Sequence, residues 1–391
     1  MRWSNTIASI VPLLSLVTAY DVVREYSGTT FFDRWDFYGS WDNLTLGDVW
    51  WLDRASATQQ QLAYVDENGH AILKVDNTSN VPFNEKRNTV RITSQDFYGV
   101  GSLWIVDLAH LPWGCSVWPA FWTKGPTWPN NGEIDIIEGI NLNDNNQYAL
   151  HTTGGCSQAA GVAQSGISGQ TDCSQPSGCV VQETAPNSYL SGFAAAGGGV
   201  WAAQFDVEGI FIWFWSRPNV PASVLQATST SSIDITGWGV PSASYPASSC
   251  NIAEYFTAQQ LVFDITLCGA WAGIPELYGP QCGNAGTTGI CYNDNVVGPG
   301  SPKYDEAYFE VNYLRAYTTG APAPTPSGDA WVSGSSVINT FSTLPAPTAT
   351  FNGPSAGVNT SPNASNEGSR SVLGVLIAFL VGATTAVLLI R

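Results

Sequence analysis

The sequence predicts an all-β domain, built as an antiparallel sandwich or barrel. Short runs of β-branched and aromatic residues alternate with Gly, Pro and Asn along the chain, and helical periodicity is almost absent. Many strands without intervening helices are typical of antiparallel β folds. No repeat of fixed period is visible in the sequence, which argues against a propeller or a solenoid.

Six segments carry the strand pattern most clearly. In chain order they are residues 71–75, 89–93, 101–107, 209–215, 260–267 and 308–317. The first two are dominated by Ile, Val and Thr, the next two add Trp and Phe, and the last two set single acids among aromatic and aliphatic residues. Residues of these types favour strands because they pack well on a pleated, half-buried surface.

The two ends of the 391-residue chain differ from its middle, residues 20–318, which we expect to be one globular domain. Residues 1–19 have the basic start, apolar run and small residues of a secretory signal peptide, and the run is too short for a transmembrane helix. Residues 319–371 are rich in Pro, Ser, Thr, Gly and Ala, a composition typical of a stalk that cannot bury a core.

Residues 372–391 form a hydrophobic tail with two interpretations. The small, polar run 359–369 before the tail favours a GPI-attachment signal that is removed on maturation. The alternative is a single transmembrane anchor, for which Arg391 would be a poor cytoplasmic end. Either way we expect a secreted protein at the cell surface or cell wall, joined to the membrane through its C-terminus, and monomeric.

The cysteine content and the net charge indicate where the protein folds and which kinds of ligand it binds. All eight cysteines lie between residues 115 and 291, which predicts up to four disulfides formed in an oxidising compartment. Their pairing stays open, although Cys173 and Cys179, and Cys282 and Cys291, are close enough for local loops. No CxxC pair exists and only three histidines are present, so a zinc site is not expected. The net charge of −17 without a basic cluster argues against nucleic acid and favours a neutral polymer.

Acids and isoleucines alternate between Glu133 and Glu138. Alternation places Glu133 and Asp135 on one face of a strand, whereas strict parity would put Glu138 on the isoleucine face. One extra residue in a β-bulge around Ile136 and Ile137 returns Glu138 to the acidic face. The two glutamates are then about four strand steps, or roughly 13 Å between Cα atoms, apart. Their carboxyls can approach to about 5–6 Å, which is near the separation found in retaining glycosidases.

These three acids predict a catalytic site. Like charges at close range raise the pKa of at least one carboxyl, so a nucleophile and an acid can share one site. We assign Glu133 as the nucleophile, Glu138 as the general acid/base and Asp135 as the partner that tunes Glu133. A solvated acidic strand or a Ca²⁺ site is the alternative, but calcium usually draws on loop oxygens. We expect neither a metal nor another cofactor.

The segment from Gly132 to Glu138 resembles the E-x-D-x-x-E signature of glycoside hydrolase family 16. Residues 107–122, 128–133, 150–156 and 267–273 are similar to its fungal laminarinase branch, the endo-1,3(4)-β-glucanases, and the likeness covers most of residues 20–317. The resemblance implies a concanavalin A-like β-jelly-roll sandwich with a concave substrate cleft. It also implies retaining hydrolysis of β-glucan through a covalent glycosyl-enzyme.

The resemblance extends to individual residues. It carries Glu133, Asp135 and Glu138 into the roles assigned above and implies that His151 lies beside the acid/base carboxyl. It further implies that four residues line the sugar subsites, namely Arg91, Trp122, Trp128 and Trp271.

Tryptophan suits this role independently, because the C–H faces of sugars stack on indole. By alternation Trp118 shares a face with Trp122 but is the weaker candidate. His151 has an equally good interpretation as a structural hydrogen-bonding residue. Ala270 departs from the Asp that related sequences often carry there, which puts a substrate hydrogen bond near Trp271 in doubt.

Three functions fit these features. The first is an endo-acting hydrolase of β-1,3-glucan, or also of mixed 1,3/1,4-β-glucan. The second is a cell-wall glucan transglycosylase, but the wall cross-linkers of the resembled family carry a shorter E-x-D-x-E spacing. The third is a glucan-binding lectin, which has no need of two glutamates at catalytic spacing. The sequence therefore favours the hydrolase, with β-glucan polysaccharide as its partner.

Overall fold

The computed structural model describes residues 19–319, and the structural statements below concern that range. The predicted signal peptide, stalk and hydrophobic tail lie outside it, apart from one boundary residue of the first two. Within this range no helix is long and apolar enough to cross a membrane.

Twenty-one strands make up most of the regular structure of residues 19–319. In chain order they are β1 (Asp21–Ser27), β2 (Trp35–Phe37), β3 (Ser40–Trp41), β4 (Val49–Trp51), β5 (Ala63–Val65), β6 (Ala71–Lys74), β7 (Asn80–Val81), β8 (Arg87–Thr89), β9 (Arg91–Ser94), β10 (Ser102–His110), β11 (Val117–Lys124), β12 (Glu133–Glu138), β13 (Gln147–His151), β14 (Ile167–Ser168), β15 (Cys179–Gln182), β16 (Gly199–Asp206), β17 (Gly209–Ser216), β18 (Ala243–Pro246), β19 (Gln260–Leu267), β20 (Gly298–Pro299) and β21 (Tyr308–Thr318).

The described helices are short. They are α1 (Arg54–Gln59), α2 (Leu190–Ala195), α3 (Ala222–Leu225), α4 (Ile252–Tyr255), α5 (Gly269–Ala272) and α6 (Pro275–Cys282), with single turns at Gly28–Thr30, Arg217–Asn219 and Tyr292–Val296. None exceeds eight residues, in keeping with the near absence of helical periodicity in the sequence.

Two eight-stranded antiparallel sheets form the body of the domain. Sheet A has the order β18-β17-β16-β10-β21-β6-β5, with β1 also pairing with β21, and sheet B has the order β14-β15-β13-β12-β11-β19-β9-β2. A small sheet β3-β4-β8 lies apart from both, and in it β4 and β8 run parallel. The predicted all-β, antiparallel class is therefore confirmed.

The sheets pack face to face over one core. Sheet A contributes Trp104 and Trp201, and sheet B contributes Phe121, Ile134 and Phe263, all of them buried. Inward-facing residues of both sheets interdigitate in such sandwiches, while the residues between them point outward. The outward-facing residues of sheet B are thus free to form a site.

All six predicted segments form strands, and residues 260–267 match β19 at both ends. The segment 89–93 is the exception to a continuous strand. Strand β8 ends at Thr89 and β9 begins at Arg91. They separate because β8 pairs with β4 in the small sheet, whereas β9 pairs with β19 and β2 in sheet B. Local propensity carries no information on such a change of partner.

Four disulfides use all eight cysteines: Cys115–Cys282, Cys156–Cys250, Cys173–Cys179 and Cys268–Cys291. The local loop between Cys173 and Cys179 is confirmed. The suggested loop between Cys282 and Cys291 is wrong, because each of these residues bonds to a partner more distant in sequence. Bond formation depends on how closely the Cβ atoms approach in the folded chain, not on separation along it.

Candidate active site

A β-bulge in β12 creates the acidic face. Against β11, Glu138 lies opposite Ala120 and Ile137 opposite Phe121, but Trp122 lies opposite Asp135, so Ile136 has no partner of its own. Five steps along β12 thus correspond to four along β11. The predicted bulge is confirmed, and it returns Glu138 to the side that carries Glu133 and Asp135.

The amide of Asn146 holds this bulge. Its Oδ1 accepts the backbone N–H of Glu138 at 2.9 Å, and its Nδ2 donates to the carbonyl of Ile136 at 3.0 Å. Asn146 is fully buried, so both backbone groups depend on it rather than on water. The irregular ladder is therefore satisfied by a side chain from the loop before β13.

A glycine directly precedes β12, at a turn where no other residue fits. Gly132 has φ +76°, and an added Cβ would lie 2.2 Å from the ring of Phe256. Only glycine combines that backbone conformation with so close an approach. Glu133 therefore begins the strand at a closely packed turn, which restricts where its carboxyl can lie.

The outward face of sheet B brings side chains from five strands into three rows. One row runs His151, Glu133, Lys124 and Gln260, and the next runs Ala149, Asp135, Trp122 and Val262. The third row contains Gln147, Glu138, Ala120, Asp264 and Arg91. Because strands pair at about 4.8 Å, neighbours within a row can touch.

Burial dominates the electrostatics of the three acids. It raises the pKa of Glu133 to about 8 and that of Glu138 to about 7, and it holds the pKa of Asp135 well above its usual range. The charge of Glu138 is the second cause for Glu133, and the charge of Glu133 is the second for Asp135. The like-charge repulsion inferred from sequence therefore contributes, but loss of solvent is the larger effect.

The pKa values of Glu133 and Glu138 also depend on contacts that differ between the two residues. Trp118 Nε1 donates to Glu138 Oε1 at 3.0 Å, which lowers the pKa of that carboxyl, whereas the charge of Asp264 raises it. The side chains of Trp128 and Asp135 lower the pKa of Glu133. At neutral pH such a group of carboxyls retains protons, which a general acid requires.

His151 occupies a different place from the one expected. It lies opposite Glu133 on β13, whereas Gln147 lies opposite Glu138. Its Nε2 is 3.9 Å from Glu133 Oε1 and 3.5 Å from Asp135 Oδ2. The expectation that it sits beside the acid/base carboxyl is wrong, because the bulge shifts the register of β13 between the two glutamates. Burial lowers the pKa of His151 to about 4, so the ring is neutral over most of the pH range.

The predicted sugar-binding tryptophans border the acids. Trp128 is 56% exposed, and its ring centroid lies 6.4 Å from that of His151. Trp122 is half-buried opposite Asp135. Trp271, on α5, packs edge-on against Trp118 with ring centroids 5.3 Å apart. Trp118, the weaker sequence candidate, donates a hydrogen bond to Glu138, and the side chain of Trp128 hydrogen-bonds Glu133.

Arg91 lies on the same face of sheet B but is covered by aromatic side chains rather than exposed. Its side chain is 5% exposed, its Nη1 donates to Asp264 Oδ2 at 3.1 Å, and its guanidinium stacks 5.0 Å from the Trp122 ring. Trp122 Nε1 donates to the same carboxylate oxygen at 3.1 Å. The structure therefore gives Arg91 and Asp264 a position from which they orient Trp122.

Sequence reasoning missed two charged residues of the site, Asp264 and Lys124. Burial raises the pKa of Asp264 to about 6 and lowers that of Lys124 to about 8. Asp264 stands alone among apolar residues in β19, the same signal that drew attention to Glu133. Lys124 follows Trp118 and Trp122 at even spacing on β11, so the alternation of a strand predicts that it lies on the same face as they do.

Two groups in residues 19–319 bring potential metal ligands together. Ligand atoms of Glu133, Asp135 and His151 lie within 4.8 Å of one another, as do those of Asp66, His70 and Glu310. The first group coincides with the acidic site itself. In the second, His70 Nδ1 already lies 2.7 Å from Glu310 Oε1 as a hydrogen-bonded pair.

Comparison with known proteins shows that the chain is similar to carbohydrate-active enzymes. A family model described as "XgeA-like, catalytic GH16 domain" matches residues 35–317. A probable glycosidase of Schizosaccharomyces pombe is 37% identical over 305 residues, which cover 76% of this chain and 69% of the relative. A probable endo-1,3(4)-β-glucanase of Aspergillus niger is 35% identical over 361 residues, 88% of this chain but 46% of that protein. The chain thus spans about half the length of the Aspergillus relative.

Two solved structures share the fold. Laminarinase 16A from Phanerochaete chrysosporium, with β-glucans in its donor and acceptor sites, is 30% identical with a TM-score of 0.71 over 77% of this chain and 100% of its own. An elongating β-1,3-glucosyltransferase of the same family is 37% identical with a TM-score of 0.70 over 76% of this chain and 100% of its own. The expected jelly-roll sandwich is confirmed by these similarities.

Proposed function

This chain belongs to glycoside hydrolase family 16, and from that membership we propose that it is an endo-acting, retaining hydrolase of β-1,3-glucan. The observation that carries the proposal is the bulge at Ile136, which aligns three carboxyls on one face beside tryptophans. Its resemblance to fungal endo-1,3(4)-β-glucanases is consistent with this substrate class.

The proposed reaction is a double displacement. The carboxylate of Glu133 attacks the anomeric carbon while Glu138 gives its proton to the departing glycosidic oxygen, so a glycosyl ester forms and the reducing-side fragment leaves. Glu138 then removes a proton from water, which attacks the same carbon. The ester bond breaks and Glu133 leaves as a carboxylate. Two inversions retain the configuration.

Asp135 supports the first step. Its pKa stands well above its usual range, so it keeps a proton beside Glu133, and its side chain lowers the pKa of Glu133. A protonated neighbour stabilises the carboxylate that must act as nucleophile. We therefore assign Asp135 to favouring the ionised form of Glu133 against the burial that raises its pKa to about 8, with His151 as a neutral neighbour 3.5 Å from Asp135 Oδ2.

The spacing of the glutamates supports retention. Their partners on β11, Lys124 and Ala120, are four residues apart, which corresponds to roughly 13 Å between Cα atoms. Glutamate side chains leaning toward each other from that separation come close to the roughly 5 Å typical of retaining enzymes. An inverting mechanism needs a wider gap to hold a water between the carboxyls.

Product analysis tests the proposal. The purified protein is incubated with laminarin, lichenan and a β-1,6-glucan, and NMR follows the anomeric configuration of the first reducing ends. We expect β-anomers from laminarin, loss of all activity in Glu133→Gln, and normal activity in Glu67→Gln, which alters an exposed loop glutamate. First-formed α-anomers, or turnover by Glu133→Gln, would overturn the mechanism.

Glucan transfer is a second candidate, favoured by the 37% identity to an elongating β-1,3-glucosyltransferase. In that reaction a hydroxyl of an acceptor glucan replaces water in the second displacement. Products longer than the donor at high acceptor concentration would identify transfer. Only shorter products under those conditions would restrict the enzyme to hydrolysis.

We also propose that the protein is secreted and held at the cell surface through its C-terminus, either by a GPI anchor that replaces residues 372–391 or by those residues as a transmembrane anchor. Four disulfides in residues 19–319 fit an oxidising compartment. Release from intact cells by a phosphatidylinositol-specific phospholipase would identify a GPI anchor. Retention after that treatment would favour a transmembrane tail, and release into the medium without treatment would contradict both.

A further inference from the structure

The small sheet β3-β4-β8 exposes two tryptophans that the proposed reaction does not use. Trp41 and Trp50 lie directly opposite each other in the antiparallel register and are 43% and 44% exposed. Opposite residues of such a pair point to the same side of the sheet. The next residue, Trp51, points to the other side and is buried. Trp41 and Trp50 together form a surface that we call the tryptophan shelf.

Polar groups continue the shelf on one side. Asn88 lies beside Trp50 in the parallel register of β4 and β8. Lys86, two residues earlier, has its Nζ 3.7 Å from Asp48 Oδ1 and donates to the carbonyl of Gly47 at 2.7 Å. This ion pair offsets the charge of Lys86, so the polar edge of the shelf offers hydrogen-bonding groups without an unpaired cation.

An open cavity of about 380 Å³ adjoins that edge. Asn88 and Lys86 line it together with Asn80 and Glu85. Its volume lies within the roughly 300–1,000 Å³ of small-molecule sites, and amide, carboxylate and ammonium groups can pair with the hydroxyls of a sugar. Stacking surface and hydroxyl-binding groups thus lie side by side.

Residues on the buried side of the small sheet β3-β4-β8 connect the shelf to the acidic site. The guanidinium of Arg91 lies 5.2 Å from the Trp51 ring and 5.0 Å from the Trp122 ring. Asp42, next to Trp41, accepts a hydrogen bond of 2.8 Å from Thr266, two residues beyond Asp264. The shelf is therefore one packed layer away from the residues that orient Trp122.

We propose that the tryptophan shelf and its adjoining cavity bind a second stretch of neutral β-glucan outside the catalytic cleft. The ligand class rests on the proposed function, whereas the binding site rests on the exposed indoles and the cavity. Indole faces stack on the C–H faces of pyranose rings. The net charge of −17 disfavours an anionic polysaccharide at this surface.

Two attachment points on one polymer raise the effective concentration of chain at the cleft. A short oligosaccharide cannot reach both points, so it gains nothing from the shelf. The shelf therefore affects retention and turnover of polymeric glucan, and leaves turnover of short fragments to the cleft.

Retention on insoluble linear β-1,3-glucan tests the proposal. Two full-length proteins are compared. The first carries Glu133→Gln, which stops turnover, and the second carries Glu133→Gln together with Trp41→Ala and Trp50→Ala. Both are measured with excess laminaritetraose, which occupies the cleft. We expect the alanine pair to weaken retention by about tenfold, since two stacking contacts are lost. A third protein with Trp41→Tyr and Trp50→Tyr keeps the aromatic faces and should retain most of the binding.

In the active enzyme the alanine pair should slow release from insoluble glucan while laminaritetraose turnover stays within about twofold, whereas Trp128→Ala should slow both. The shelf proposal is overturned if Glu133→Gln is retained equally with and without the alanine pair. It is also overturned if, in the active enzyme, the alanine pair slows laminaritetraose turnover as much as release from insoluble glucan. If the tyrosine pair binds as poorly as the alanine pair with an unchanged melting temperature, stacking is also refuted. A wild-type protein that hydrolyses no β-glucan would refute the proposed function, yet the retention comparison would still decide the shelf.

Discussion

Replacing Asn146 by alanine should separate the geometry of the active site from the stability of the fold. The Asn146 side chain supplies both hydrogen bonds that hold the bulge, one to Glu138 N–H and one to the Ile136 carbonyl. Alanine fills none of that space and offers no donor or acceptor. Water has no ready access because Asn146 is fully buried.

The magnitude follows from those two bonds. Each buried backbone group left without a partner costs about 1–3 kcal/mol, so the variant should lose about 2–6 kcal/mol of unfolding free energy. A domain with a net stability of about 5–15 kcal/mol can remain folded after such a loss. Activity should fall further, by about a hundredfold or more, because a carboxyl displaced by about 1 Å already costs that much.

Urea unfolding and kcat on laminarin, measured on the same preparation, provide the assay. The matched control is Asn295→Ala, which removes a buried amide that donates to Tyr278 Oη at 2.7 Å and to the Cys291 carbonyl at 3.2 Å. The control should lose comparable stability and keep kcat within about threefold, since it touches no residue of β12. If Asn146→Ala loses stability as the control does but keeps its kcat, the bulge does not depend on this amide and the reasoning is refuted.

Three further predictions concern the carboxyls. Burial raises the pKa of Glu138 from 4.5 to about 7, so the folded state holds more protons than the unfolded chain in that window and stability falls as pH rises through it. Glu138→Gln should therefore melt higher than wild type at pH 8 and equally at pH 4 by calorimetry, and a lower melting temperature at pH 8 would contradict this. Trp118→Phe removes a hydrogen bond to the ionised form, so the alkaline limb of kcat/KM should move to higher pH, and an unmoved limb would refute that coupling. Asp264→Asn removes a charge that raises the pKa of Glu138, so the same limb should move to lower pH. The variant should also lose about 3–5 kcal/mol of unfolding free energy in urea, because buried Arg91 is left unpaired. Adding Arg91→Met to Asp264→Asn should restore part of that loss.

Local pattern was sufficient for the acidic strand. Alternation placed Glu133 and Asp135 together, and the parity conflict at Glu138 required a bulge whose position the register confirms. Both inferences depend on the two-residue period of a strand, which the chain carries in its own order of residues. The same parity explains why Trp118 and Trp122 share a face.

Contacts between distant segments escaped that reasoning. Asn146, which holds the bulge, lies in a loop with no periodic pattern, and Asp264 reaches Trp122 only because β19 pairs with β11. His151 was expected beside Glu138 but lies opposite Glu133, since the register of β13 is set by the same bulge. Arg91 was expected to line the sugar surface; it lies on that face of sheet B, but Trp51 and Trp122 pack against it and cover it.

The sequence by itself determined the all-β class, the acidic face of one strand and the number of disulfides available, because these depend on residue type and spacing along the chain. Only the tertiary structure decided which cysteines pair, how far burial raises the pKa values of Glu133 and Glu138, and which residues support them. Solvent exclusion and strand pairing are properties of the assembled sheets, in which residues more than a hundred positions apart share one environment. The acidic strand therefore predicts the chemistry, and its neighbours in sheet B set the pKa values on which the proposed reaction depends.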